Sequence, residues 1–356
     1  AYCWTDSRYF IQAEEQLADT GFKMMKEDGP EAIDLVGWIV DNMPSGSTVA
    51  IDGMTFSTAL AEKIEQQLSG NGLKLITDFA PFDTINPERP KRPLNVLFVH
   101  DEKIVGETVD SKANRVMEQV RNEGAEAIIM SSLDDIAWTT NLRTANDISY
   151  SPMFVSYVYL CNDRRILFID EEKLNDEVKA HLATYKFEIM PYDAVLDFVA
   201  TLPTETKILV DPDKVSRGLF DKISCCPVFG GSKVAKLKSI KNESMLRSID
   251  IAMEKDGVAL TRFFMMVERD HPKGELTELI LSERLREIRL SDPSCVDESF
   301  ASILGFKEHG AIIHYEATEE SNIPVVGDGL LLVDSGGQYI YGTTDITRTV
   351  ALGTPT

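Results

Sequence analysis

Residues 333–349 read Val-Asp-Ser-Gly-Gly-Gln-Tyr-Ile-Tyr-Gly-Thr-Thr-Asp-Ile-Thr-Arg-Thr. Leu330 to Val333 is an apolar run of strand-forming residues that ends on Asp334. Gly336-Gly337 supplies a turn and Tyr339 to Tyr341 begins a return strand, because β-formers punctuated by glycine read as a hairpin. Folding the segment back on itself brings Asp334 and Asp345 from opposite arms toward one point. Hard divalent cations take anionic oxygen ligands, and two neighbouring carboxylates are tolerable only where a cation screens their repulsion. A carboxylate that bridges two ions is the usual nucleus of a two-metal hydrolytic site. The plainer reading is that both aspartates cap turns and bond backbone amides. Spacing alone leaves both readings open.

The composition sets the frame. With 356 residues, 43% of them apolar, the chain is long enough for two or three domains with ordinary cores. A net charge of −22 opposes binding to nucleic acid or to an anionic membrane, both of which require positive patches. No stretch approaches the apolar length of a transmembrane helix. Cys3, Cys161, Cys225, Cys226 and Cys295 are odd in number and form no CxxC pair, which points to reduced thiols in a cytoplasmic protein.

Helix and strand signals alternate over the first 86 residues. Helices are expected from Arg8 to Leu17, Pro30 to Val40 and Ser57 to Leu68, and strands at Thr48 to Ile51 and Leu73 to Ile76. Residues 83–93 carry Pro87, Pro90 and Pro93 and read as a stiff linker. The α/β alternation resumes beyond it. Strands are expected at Ala127 to Met130, Val155 to Leu160, Ile166 to Ile169 and Ile208 to Val210, with a helix at Ser111 to Arg121, and a boundary near Gly230-Gly231. From Asn242 the character changes. A long amphipathic helix runs to Glu268 with Leu246, Ile249, Met253, Leu260, Phe264 and Val267 as its apolar face, and a second helix spans Thr277 to Leu290. Helices followed by hairpins indicate an α+β domain. The expected division is 1–86, 94–232 and 240–356.

Phe168-Ile169-Asp170 followed by Ile208-Leu209-Val210-Asp211 echoes Trp4-Thr5-Asp6 followed by Val49-Ala50-Ile51-Asp52. Read as a duplication, the echo leaves about 60–75 residues of the first copy ahead of Ala1; chance likeness between two α/β domains is the competing reading.

Two further residues stand out. His314 lies in Ala311-Ile312-Ile313-His314-Tyr315, read as an apolar strand that surfaces at an imidazole; a lone strand histidine is commonly a core or rim residue. Arg8, in Trp4-Thr5-Asp6-Ser7-Arg8-Tyr9-Phe10, reads on its own as a solvated residue or an ion-pair partner of Asp6. Arg348, three positions past Asp345 on a strand, faces away from it. Thr343, Thr344 and Thr347 are candidates to hydrogen-bond the carboxylates.

The stretch DSGGQYIYGTTDITRT resembles the first metal-ligand motif of the pita-bread metallopeptidases, in detail that of the Xaa-Pro aminopeptidases (aminopeptidase P). GAIIHYEAT (310–318), WTDSRYF (4–10) and DDIAWTTNLR (134–143) resemble further motifs of the three-domain members, in the family's order. The resemblance implies two creatinase-N-like α/β domains followed by the first part of a pita-bread catalytic domain. It implies an aminopeptidase that releases the N-terminal residue from peptides with proline second, two divalent metal ions of which manganese is the usual choice, and a cytoplasmic homodimer. Asp334 would bind one ion, Asp345 would bridge both, and His314 and Arg8 would hold peptide, with His314 also able to shuttle protons. Ser7 stands where the family usually has Gly.

The resemblance calls for a histidine and two glutamates as further metal ligands. Ile346 to Thr356 contain none, so the expectation is a fragment of a longer enzyme, cut at both ends and inactive as it stands. Two other readings use the same fold: a prolidase or creatinase-like hydrolase, and a metal-free pita-bread module that binds peptide.

Overall fold

The computed structural model of the chain describes residues 1–354, which fall into two compact units. One unit holds Ala1–Ile39, Ser149–Ser151 and the chain from Met245 onward; the other holds Val40–Ile148 and Pro152–Ser244. Both expected classes are present, a mixed α/β sheet in the second unit and helices leading into antiparallel strands in the first.

The α/β unit is built on a six-stranded sheet. From edge to edge its strands are Phe187–Met190, Arg165–Phe168, Tyr157–Cys161, Ala127–Met130, Lys207–Val210 and Cys226–Phe229. Only the Tyr157–Cys161 strand runs antiparallel to its neighbours. Both faces are covered, so the central strands are apolar without interruption. Ile128 and Met130 enter one core with Val116, Val120 and Ile136, while Ala127 and Ile129 enter another with Val195, Val199 and Leu219. The two-residue period of a strand divides the run between the faces. Buried charges are paired or hydrogen-bonded here: Lys173 is buried with Asp147, and Lys112 donates to Trp138 O (2.9 Å) and Asn141 Oδ1 (2.6 Å). Of the linker expected at 83–93, the first residues belong to helix Phe82–Ile85, and no helix or strand interrupts the chain from Asn86 to Leu97.

The sequence echo has a structural counterpart. Tyr2–Thr5 and Arg165–Phe168 are strands that each pair in parallel with a strand about 20 residues on, and Asp6 and Asp170 then lead into one turn of 3₁₀ helix. Asp52 and Asp211 each accept a hydrogen bond from the amide two residues ahead, and the serine five residues on, Ser57 or Ser216, caps the next helix. The two turns also bond reciprocally: Thr58 N donates to Val215 O and Arg217 N to Phe56 O, both at 2.9 Å.

Among the described residues, two α-helices, two short 3₁₀ helices and two small sheets make up the other unit beyond Met245. The long helix Glu243–Asp270 buries Ser248, Ala252, Asp256, Ala259, Leu260, Phe263 and Val267. Of the expected apolar face Leu260 and Val267 are buried and Phe264 packs against the same core, but Leu246 (52% exposed) and Met253 (42%) lie outside it, so the first half of the face was rotated. A buried aspartate explains the error. Asp256 sits in the middle of the true stripe, paired with buried Arg289, and a charge at a core position conceals the phase of a hydrophobic pattern. Helix Glu278–Leu290 starts where expected, because Thr277 Oγ1 accepts from Ile280 N (3.2 Å).

The hairpin differs from the expectation in where it turns. Gly329–Ser335 pairs with Ile346–Leu352 and with Ile303–Phe306 in one antiparallel sheet. The chain then passes straight through Gly336 into Gly337–Tyr339, which pairs with Gly342–Thr343 and with Cys295–Glu298 in a second sheet. The tip is therefore at Ile340-Tyr341, and the return arm is Ile346–Leu352 rather than Tyr339–Tyr341. Gly336 is a crossing point instead of a turn. A Cβ there would lie 1.9 Å from Thr344 O and 2.2 Å from Ser299 Oγ, so only glycine lets the two arms approach.

Candidate active site

Strand register settles how the two aspartates stand. Asp334 pairs with Thr347, and Ser335 with Ile346. Asp345 lies two positions before Thr347 and hence on the same face as Asp334, one diagonal step away. Both line a cavity of about 460 Å³ together with His314, Tyr9, Tyr315 and Glu316. Asp345 is exposed and Asp334 half-buried, with Asp334 Oδ1 buried and without a hydrogen-bond partner. A buried carboxylate oxygen that makes no bond is unfavourable by about 1–3 kcal/mol or more. A hard cation would satisfy it, and paired aspartates are the donor set such a cation prefers. The turn-capping reading of Asp334 loses its support here, since a cap would engage that oxygen. Among the described residues no group of three or more His, Cys, Asp or Glu side chains is placed to hold a metal ion.

Buried bonds hold the arms in place. Arg289 reaches Asp256 through Nε (2.7 Å) and Ser335 Oγ through Nη2 (3.0 Å), and Tyr339 O–H donates to Asp256 Oδ1 (3.0 Å). Both helices are thereby tied to the residue that follows Asp334. Of the three threonines expected to reach the carboxylates, Thr343 and Thr344 use their hydroxyls elsewhere, while Thr347 is the strand partner of Asp334. Thr343 Oγ1 donates to Gln338 Oε1 (2.7 Å), and Thr344 Oγ1 accepts from Gly337 N (2.9 Å).

His314 does line the cavity, but it does not sit on a strand. Lys307–Ala311 is a short 3₁₀ helix, followed by a turn in which Tyr315 N donates to Ile312 O (3.2 Å). Residues 311–315 have no partner strand, so the apolar run Ala311-Ile312-Ile313 gave the wrong period. His314 Nδ1 shares a 2.7 Å hydrogen bond with the Tyr9 hydroxyl, and the rings meet edge to face with centroids 4.9 Å apart.

Arg8 is not among the residues that line the cavity. Its guanidinium forks onto Asp6, Nε to Oδ1 at 2.9 Å and Nη2 to Oδ2 at 2.8 Å, and the side chain is 54% exposed. Those bonds hold the Asp6 carboxyl down at about 2. From this segment the neighbours Tyr9 and Gln12 face the cavity instead. Tyr9, Tyr315 and Glu316 were missed in the sequence. The first belongs to the motif that carries Arg8, and the others flank His314, so adjacency to a motif residue was the available signal.

Comparison with known proteins bears on this arrangement directly. Residues 88–244 match the model of the Creatinase/Prolidase N-terminal domain, and residues 247–356 that of Metallopeptidase family M24. Residues 247–356 belong to metallopeptidase family M24. The M24 segment thus carries Asp334, Asp345 and His314, and the N-terminal-domain match covers the six-stranded sheet. Over its whole length the chain is 33% identical to Aminopeptidase P2 of Arabidopsis thaliana, covering 55% of that protein. It is 33% identical to Xaa-Pro aminopeptidase 1 of Dictyostelium discoideum, with 99% of the chain and 58% of the relative aligned. A solved X-prolyl aminopeptidase of Caenorhabditis elegans, described as a cytosolic enzyme with a di-nuclear active site, superposes with a TM-score of 0.93 at 28% identity. That superposition covers 98% of this chain and 58% of the other. The chain therefore spans a little over half the length of these relatives.

Proposed function

We propose that the protein to which this chain belongs is a metal-dependent aminopeptidase, releasing the N-terminal residue from peptides with proline in the second position. The observation that carries this reading is the placement of Asp334 and Asp345 on one face of a hairpin, in the wall of a cavity they share with His314. Similarity to Xaa-Pro aminopeptidases over the whole chain supports it.

The parts take these roles. Asp334, with its unpartnered Oδ1, and Asp345 would hold two divalent cations. Bound there, such ions would supply Lewis acidity that activates water and polarises a carbonyl. His314 contacts the peptide and can hold or pass a proton. Where Tyr9 donates to Nδ1, the imidazole keeps its proton on Nε2 and offers it to a substrate carbonyl. Arg8 holds peptide by exchanging Asp6 for a substrate carbonyl or carboxylate, for which its rigid fork is suited. Manganese as the ion, a homodimer as the assembly and the cytoplasm as the compartment complete the proposal; five free cysteines favour a reducing compartment. Among the described residues no helix is long and apolar enough to cross a membrane.

The full-length protein, loaded with manganese, is expected to release the first residue of Xaa-Pro tripeptides and to leave analogues with alanine second uncut. Absence of release with manganese, cobalt or zinc would reject the reading.

A further inference from the structure

Glu278 is a fully buried carboxylate at the first turn of helix Glu278–Leu290, and the roles above make no use of it. Three groups from one short segment converge on it. Phe306 N donates to Oε1 at 2.8 Å, His309 Nδ1 lies 2.9 Å from Oε2, and the Tyr315 hydroxyl donates to Oε2 at 2.7 Å. Where Nδ1 carries the hydrogen of the His309 ring, all three groups donate to the carboxylate. The rings of His309 and Tyr315 lie 4.4 Å apart, which brings the two ends of the segment together. Between these anchors the chain has no sheet partner after Phe306, and it carries His314 next to the last anchor. Glu278 thus ties residues 306, 309 and 315 to a single point.

We propose that Glu278 is a positioning residue for the candidate active site: its carboxylate fixes the path of residues 306–315 and so sets His314 and Tyr315 at the cavity wall. The geometry of the clamp stands by itself; its effect on catalysis rests on the peptidase reading. Glutamine keeps the shape of the side chain but replaces one acceptor oxygen with an NH₂ donor, so one of the three converging donors meets another donor.

The test uses the full-length protein with Glu278→Gln and Tyr315→Phe. Two readouts are followed, the nitrogen-edited imidazole signals of His314, assigned with His314→Gln, and KM and kcat for an Xaa-Pro tripeptide. In folded Glu278→Gln the His314 signals are expected to move and kcat/KM to fall about a hundredfold, the scale on which misplacing a reacting group acts, with most of the loss in kcat. Tyr315→Phe removes one donor of the three and should move the same signals less. If the carboxylate only stabilised the fold, its replacement would lower the melting temperature and move neither readout. Unchanged His314 signals and unchanged kcat/KM in folded Glu278→Gln overturn the proposal; should that variant fail to fold, Tyr315→Phe decides by the same criterion. If wild-type protein does not cleave the tripeptide, the peptidase reading falls, while the imidazole signals still judge the clamp.

Discussion

Tyr9 and His314 share a 2.7 Å hydrogen bond across 305 positions of sequence. The bond engages Nδ1 of the imidazole, and the role proposed for His314 falls to the other nitrogen. Tyr9→Phe in the full-length protein is expected to lower kcat/KM for an Xaa-Pro peptide about fivefold, the rate equivalent of roughly 1 kcal/mol for a net hydrogen bond. Steady-state kinetics at several pH values check it, and an unchanged pH profile would leave the bond without a catalytic role.

Arg8→Ala separates the two readings of that arginine. If Arg8 leaves Asp6 to hold peptide, KM should rise about tenfold while kcat stays within a factor of about two, the pattern of lost uniform binding. If the exposed pair with Asp6 is all that Arg8 makes, neither constant changes.

Asp345→Ala should abolish both manganese binding, read by calorimetry, and hydrolysis. The melting temperature should stay within about 2 °C of the parent, because Asp345 is exposed and surface substitutions seldom exceed about 0.5 kcal/mol. Retained hydrolysis would end the two-metal reading of the hairpin.

Asp256→Ala leaves the fully buried Arg289 guanidinium without its partner beneath the hairpin. Breaking one side of a buried pair is unfavourable by about 3–5 kcal/mol, which denaturant unfolding would register as a lower midpoint. Tyr339→Phe, which removes one bond to the same carboxylate, should lower stability by about 1 kcal/mol.

Lys112 gives a pH signature. Burial pushes its ammonium from 10.5 down to about 7, although Trp138 O and Asn141 Oδ1 both accept from it. Between about 7 and 10.5 the unfolded chain holds a proton that the folded one has released. The desolvation penalty is thus fully present below that window and is relieved as pH rises through it, so this group makes stability increase by up to about 1.4 kcal/mol per pH unit. The difference in unfolding free energy between the parent and Lys112→Met, measured from pH 6 to about 10, should show that slope.

Much of the local structure was legible. Ala127–Met130 was found to the residue because four apolar positions between polar flanks fit a strand buried on both faces. Helix Glu278–Leu290 was found because Thr277 announces it. The juxtaposition of Asp334 and Asp345 was legible too, even though the turn was placed four residues early. Glycine marks a turn and a close crossing equally, and only the neighbouring Thr344 carbonyl distinguishes them at Gly336. The phase of the long helix failed for a related reason. Whether Asp256 faces solvent or a buried arginine 33 positions away is not a local property.

Sequence alone determined the fold class and the hairpin that carries Asp334 and Asp345. Periodicity, glycine placement and the run of residues 333–349 act over a few positions, where backbone sterics and strand alternation govern. Tertiary structure decided the partners. It put Tyr9 on His314 and drew Phe306, His309 and Tyr315 to Glu278. Those contacts form only when packing removes water from groups far apart in the chain, so that each buried donor or acceptor must find whichever partner the fold brings within 3 Å or so.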